Sequence, residues 1–286
     1  TFPSFTGRQE TPTTLTRAVE APPMRLTFLG TGSAMPTGER FQTGLLVEDG
    51  TDRLLVDCGS GVVHALQRTS AGYEGVDTVL LTHHHLDHVS DLMVLLKARW
   101  LAGETTLTVA GPDGTRALLD GLLEVHEYMQ ERIDLTVREV EAGEFSLAGF
   151  EIAATETRHS MPCLAYRFTP GADSHDGPDS GDPAPPPSVV FSGDTEAFAE
   201  LIEFADGAAV LVHDCSFPDE VDVSNHPTPS SLGRALAGAD ADVGRVYLTH
   251  LYPHTEGRHE EMLDSIAERY DGDVRFADDG LSIDVS

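Results

Sequence analysis

Five short stretches of the chain, residues 54–56, 79–81, 189–191, 210–212 and 246–248, are apolar without interruption. Runs of this length with no polar alternation predict strands covered on both faces. Residues 24–29 read as a further strand, and residues 45–47 and 54–56 flank Asp49-Gly50, the signal of a hairpin turn. Helical spacing of apolar positions predicts helices over 89–100, 115–132, 195–204, 230–239 and 260–270. Strands alternating with helices predict a layered α/β fold. Residues 1–23, rich in Thr and Pro, read as a flexible leader. Residues 170–187 place Asp173, Asp176, Asp179 and Asp182 among Gly, Ser and Pro, and read as a mobile acidic loop inside one domain spanning 24–286.

A second regularity cuts across the strands: nearly every buried run ends in a residue able to ligate metal. Residues 54–56 run into Asp57, 79–81 into Thr82-His83, 189–191 into Ser192-Gly193-Asp194, 210–212 into His213-Asp214, and 246–248 into Thr249-His250. Val-Leu-Leu-Thr-His and Val-Tyr-Leu-Thr-His read as an internal repeat. Open α/β sheets gather function beyond the carboxyl ends of their strands. The densest cluster is Thr82-His83-His84-His85-Leu86-Asp87-His88. Imidazole is the commonest zinc ligand, and a carboxylate completes such sites. A turn after the strand aims alternate side chains at two adjacent points and leaves His84 outside.

His83-x-His85-x-Asp87-His88 resembles the signature of the metallo-β-lactamase superfamily, and the opening Phe28-Leu29-Gly30-Thr31-Gly32-Ser33-Ala34-Met35-Pro36 resembles its ribonuclease Z branch. Asp57-Cys58-Gly59, His159-Ser160-Met161-Pro162, Ser192-Gly193-Asp194-Thr195, Asn225-His226-Pro227-Thr228 and Leu248-Thr249-His250 follow in the family's order. The resemblance implies a four-layer αββα sandwich and two metal ions. It implies that His83, His85 and His159 hold the first, that Asp87, His88 and His250 hold the second, and that Asp194 bridges them with a water or hydroxide. A His-rich set favours zinc, with manganese or iron as alternatives. Asp57 is expected to support the ligands from behind. Asp87, His226 and Asp214 are the candidate catalytic residues. His226 is implied to protonate the leaving group, steadied by Asp214 where the family usually has the longer Glu.

The resemblance implies a binuclear hydrolase, foremost a phosphodiesterase or ribonuclease acting on RNA or a nucleotide, and by analogy a homodimer. An enzyme on carbon substrates (β-lactamase, lactonase or thioesterase) and a non-catalytic metal-binding protein are the alternatives. Family members that process tRNA carry a long, often basic arm between the His159 and Asp194 motifs. Here that interval is the acidic 170–187 segment, and Leu251-Tyr252-Pro253-His254 departs from the family's usual pattern after His250.

Composition narrows the setting. The 286 residues carry 18 Lys+Arg against 48 Asp+Glu, a net charge of -30, and Lys97 is the lone lysine. Such a surface disfavours DNA, RNA and anionic membranes at low ionic strength. It suits concentrated salt, where a Debye length of about 3 Å at 1 M hides distant charge. The acidity therefore speaks to environment more than to substrate. The 40% hydrophobic content supplies a core. No apolar run reaches the ~18 residues of a membrane span, and the first residues lack the pattern of a secretory signal. Cys58, Cys163 and Cys215 are odd in number and widely spaced, which points to a reducing cytoplasm rather than a disulfide framework.

Overall fold

The computed structural model describes residues 23–171, 186–221 and 223–286. The leader expected over residues 1–23 and the acidic loop expected over 170–187 lie outside these residues, apart from their flanks. Two seven-stranded sheets face each other. The first has the order β14-β1-β2-β3-β4-β5-β6 and the second β13-β12-β11-β10-β9-β8-β7. The first comprises β1 (Met24–Gly30), β2 (Gly44–Asp49), β3 (Asp52–Val56), β4 (Thr78–Leu80), β5 (Thr106–Gly111), β6 (Asp134–Glu139) and β14 (Ser282–Val285). The second comprises β7 (Gly143–Leu147), β8 (Phe150–Glu156), β9 (Leu164–Pro170), β10 (Val189–Phe191), β11 (Val210–Asp214), β12 (Arg245–Thr249) and β13 (Asp273–Phe276).

The uninterrupted apolar runs are explained by what covers each face. Leu54, Val56 and Leu80 point into the core between the sheets, where they meet Phe168, Phe191 and Val212. Leu55, Val79 and Leu81 point outward beneath α1 (Val62–Leu66), α3 (Leu92–Ala102) and α4 (Thr115–Val125). On the second sheet, Val190, Leu211, Val246 and Leu248 pack under α5 (Ala199–Phe204), α6 (Pro229–Gly238) and α7 (His259–Ala267). Three cores between four layers give the αββα sandwich that the resemblance implies. Strands β3 to β6 are parallel, as are β10 to β13. The Thr-His repeat therefore places one copy after β4 of one sheet and the other at the end of β12 of the second.

Several predicted helices are shorter than their periodicity suggests. The 89–100 helix is interrupted at Asp91, whose carboxylate accepts the Gly61 and Val63 amides at 2.9 and 3.1 Å. The result is a single turn, α2 (Leu86–Val89), followed by α3. The 195–204 helix begins only at Ala199. Thr195 and Glu196 are drawn into extended links: the Thr195 amide donates to Asp214 and the Glu196 amide to the Arg158 carbonyl. Asp194 is consequently not a helix cap. The 115–132 helix leaves α-geometry at His126, and Met129 then turns into the core. Strand β7 lacks an uninterrupted apolar run because Phe145 and Leu147 alternate with polar residues, and in β8 the buried Phe150 and Ile152 flank the exposed Glu151.

Candidate metal centre and its proton relay

The site lies beyond the carboxyl ends of β3, β4, β10, β11 and β12. After β4 the chain runs extended through His85, which is the N-cap of α2. Extended backbone sends alternate side chains to opposite sides. His83 and His85 thus share one side, with Nε2 and Nδ1 3.0 Å apart. His84 turns the other way and bonds Thr115 Oγ1 at 2.8 Å. The single turn of α2 then brings Asp87 and His88 back over the same point.

His159, on the loop between β8 and β9, reaches His85 with its Nε2 at 3.1 Å. That loop is stitched to the Asp194 segment: Thr157 Oγ1 donates to the Asp194 carbonyl at 2.9 Å. Asp194 Oδ2 lies 3.6 Å from His83 Nε2, 3.9 Å from His159 Nε2 and 3.1 Å from His250 Nε2, while Oδ1 lies 3.3 Å from His88 Nε2. His250 Nε2 is also 3.1 Å from Asp87 Oδ2. These seven side chains and His226 fall into three groups of converging donors: His83, His85, His159 and Asp194; Asp87, His88 and His250; and Asp194, His226 and His250. Asp57 and His250 both adopt left-handed backbone, φ 59° and 58°, at the ends of β3 and β12. That conformation costs a non-glycine residue roughly 1–3 kcal/mol, so such outliers gather at functional sites.

Two carboxylates behind the imidazoles set which ring nitrogen faces the centre of the cluster. Asp57, fully buried, accepts the Thr82 amide at 2.8 Å, the Thr82 hydroxyl at 2.8 Å and His88 Nδ1 at 2.7 Å. Because the Thr82 hydroxyl donates to Asp57, its lone pair faces His83 Nδ1 at 3.0 Å. His83 and His88 thereby both keep a proton on Nδ1 and direct Nε2 at the centre of the cluster. Asp214 repeats the device: it accepts the Ser216 hydroxyl at 2.5 Å, and Ser216 Oγ faces His250 Nδ1 at 3.0 Å. The sequence pointed to Asp57 in this role. It did not point to Thr82 or Ser216, although the Thr-His repeat and the spacing Asp214-x-Ser216 were visible.

The donor set fits a cation. His88 Nε2 is buried with no hydrogen-bond partner among the described residues, a cost that a ligand would remove. Ring nitrogens of His83, His85 and His159 converge, those of His83 and His159 lying 3.0 and 3.1 Å from His85 Nδ1, close enough to share one cation. Burial lowers the basicity of these three imidazoles, keeping them neutral. Burial also opposes charge on His88 and His250, yet Asp194 and its neighbours outweigh it and raise both. Asp194 itself is held well below the carboxylate range, against burial, by His250, His88 and His83. The pocket thus draws positive charge to its centre.

His226 flanks this cluster. Its ring stacks on His250, centroids 5.2 Å apart at 13°. Its Nδ1 lies 2.7 Å from Asp214 Oδ2, so the shorter Asp has sufficient reach. Burial lowers the His226 imidazole, but Asp214 beside it prevails and lifts it to about 9. Among the described residues no helix is long and apolar enough to cross a membrane.

Comparison with known proteins follows the same lines. The profile of the family described as Anti-Pycsar protein Apyc1 matches residues 24–256. The chain is similar to ribonuclease Z of Haloferax volcanii, 31% identical over 92% of this chain and 95% of the relative. Among solved structures it is similar to the metallo-β-lactamase fold protein YhfI from Bacillus subtilis, with a TM-score of 0.73, 26% identity, and coverage of 91% of this chain and 99% of that one. Human tRNase Z, short form, superimposes with a TM-score of 0.70 at 19% identity, covering 92% and 100%, and speaks to the fold alone.

Proposed function

Since the chain belongs to the Anti-Pycsar protein Apyc1 family, within the ribonuclease Z-like branch of the metallo-β-lactamase superfamily, we propose that it is a metal-dependent phosphodiesterase acting on RNA or a nucleotide. His83, His85 and His159 would hold one ion and Asp87, His88 and His250 a second, with Asp194 shared between them. The imidazole-rich donor set suits zinc, ahead of manganese or iron. Ions bound there would supply an acidified water and a sink for charge on the phosphoryl oxygens.

The observation that carries the phosphodiester reading is the His226–Asp214 pair at the edge of the cluster. A departing ribose oxygen is a poor leaving group and gains from a general acid. His226 is held by Asp214 through Nδ1, which leaves Nε2 as the proton donor. Asp214 offsets the imidazolium charge and fixes the ring's direction. Asp87 and Asp194 would offset the charge of two dications held there. A lactone or β-lactam would not require this acid. The acidic 170–187 segment favours short RNA or a mononucleotide over the elbow of a whole tRNA, because four aspartates repel phosphates.

The test is a substrate panel for the zinc- or manganese-loaded protein in concentrated salt, covering RNA, DNA, bis(p-nitrophenyl) phosphate and a lactone. RNA or DNA cleavage that falls in His226→Ala supports the proposal. Lactone turnover indifferent to His226→Ala, with no phosphodiester cleavage, overturns it. Light scattering on the same preparation tests the proposed homodimer.

A further inference from the structure

Leu251-Tyr252-Pro253-His254 departs from the resembling family's pattern and plays no part in the mechanism above. The structure gives the segment a position. Tyr252 follows His250 by two residues and its ring stands edge to face with both His250 and His226, at centroid distances of 5.7 and 5.9 Å. On one side it is offset-stacked on Phe217, centroids 4.3 Å apart at 28°. Phe217 is buried, whereas Tyr252 is only partly buried. Phe217 in turn touches His226 at 6.1 Å and His254 at 5.4 Å.

The mounting is rigid. Tyr252 donates its amide to the Ser216 carbonyl at 3.3 Å, and its own carbonyl accepts the Thr255 amide at 3.0 Å and the Thr255 hydroxyl at 2.8 Å. Phe217 and Tyr252 extend the same two strand ends that deliver Asp214 and His250. An aromatic face is therefore fixed beside the metal centre, backed by a second ring, and held without recourse to its hydroxyl: no protein group bonds the phenol oxygen among the described residues.

We infer that Tyr252, backed by Phe217, is a stacking platform for the nucleobase of a substrate whose phosphate lies at the metal centre. This rests on the phosphodiesterase reading above and deepens it. The occupant follows from the chemistry. A flat, neutral aromatic surface one ring away from a phosphate site recognises a flat heterocycle joined to that phosphate through a ribose. Stacking tolerates any base, because every base has a π-face. It also suits this chain's charge. At a net charge of -30, few cations are available to grip phosphates, and screening in concentrated salt weakens ionic contacts but not stacking.

Isothermal titration of the zinc-loaded protein tests the platform without turnover, with AMP, CMP and the base-less ribose 5-phosphate as probes. The nucleotides are expected to bind more tightly than ribose 5-phosphate by roughly 5- to 150-fold, the span of one stacked base. Tyr252→Phe keeps this preference. Tyr252→Leu, which retains bulk over Phe217, loses most of it while phosphate binding and the thermal midpoint hold. Equal binding of AMP and ribose 5-phosphate by the wild type overturns the inference, as does an unchanged preference in Tyr252→Leu. Loss in Tyr252→Phe as severe as in Tyr252→Leu also overturns it, since the hydroxyl would then be the contact. Failure of the loaded enzyme to cleave any phosphodiester removes the catalytic reading, but the base preference remains measurable on its own.

Discussion

Asp57→Asn changes one atom behind the ligands and is expected to weaken metal binding without unfolding the protein. In the wild type, Oδ1 accepts the Thr82 amide, while Oδ2 accepts the Thr82 hydroxyl and His88 Nδ1 at 2.8 and 2.7 Å. The substituted side chain must keep its oxygen on the Thr82 amide, since that donor cannot turn. Its NH2 then takes the place of Oδ2 and can only donate. His88 must move its proton to Nε2, which removes the lone pair aimed at the site. Thr82, now an acceptor toward the new NH2 group, turns its hydroxyl to His83 Nδ1 and pushes His83 the same way. Reversing a buried bond of this kind costs about 1–3 kcal/mol. That equals roughly 5- to 150-fold in affinity, in line with the ~10–100-fold typical of a lost outer-shell partner. Both proposed ions should be affected, because His83 and His88 belong to different groups. Asparagine tolerates the φ of 59° at this position. The assay is zinc competition against a chromogenic chelator, with circular dichroism of the metal-free protein as the control for folding. Two binding constants within about twofold of wild type, well under that span, in a folded variant would refute the tautomer argument.

Four further outcomes are expected. His226→Ala should lower turnover of a nucleoside phosphodiester by about 10²–10⁴ yet barely alter a p-nitrophenyl ester, whose leaving group needs no proton; equal losses on both would count against the acid role. In the metal-free protein, the folded His226 value of about 9 exceeds the ordinary 6.5. Its stabilisation is therefore full below pH 6.5 and lost as pH rises through about 9, so the urea midpoints of wild type and His226→Gln should converge over that interval. Chelation should lower the thermal midpoint and added zinc should raise it with concentration, because zinc would bind the folded donor set and the buried His88 Nε2 otherwise lacks a hydrogen-bond partner among the described residues; a midpoint indifferent to zinc would contradict the site. Finally, a titration from about 0.1 M to multimolar KCl should show folding and activity rising with salt, as the net charge of -30 requires; full activity in salt-free buffer would end that reading.

Much of the site was legible locally. The apolar runs, the His83 to His88 cluster and the polar residues at strand ends depend on the order of neighbours along the chain, and order is what a sequence states. Periodicity failed where tertiary demands cut across it. Asp91 is surrounded by apolar spacing, yet its carboxylate is needed by the Gly61 and Val63 amides, so the helix breaks. Thr195 and Glu196 extend a helical pattern, yet they are committed to Asp214 and Arg158. Residue type and spacing by themselves determined that this chain layers strands against helices and carries enough imidazole and carboxylate for metal. Only the tertiary structure decided how those groups act. Thr82 links Asp57 to His83, Ser216 links Asp214 to His250, and Tyr252 lies on Phe217 beside His226. Each depends on the register of strands distant in sequence, and a hydrogen bond tolerates only a few tenths of an ångström.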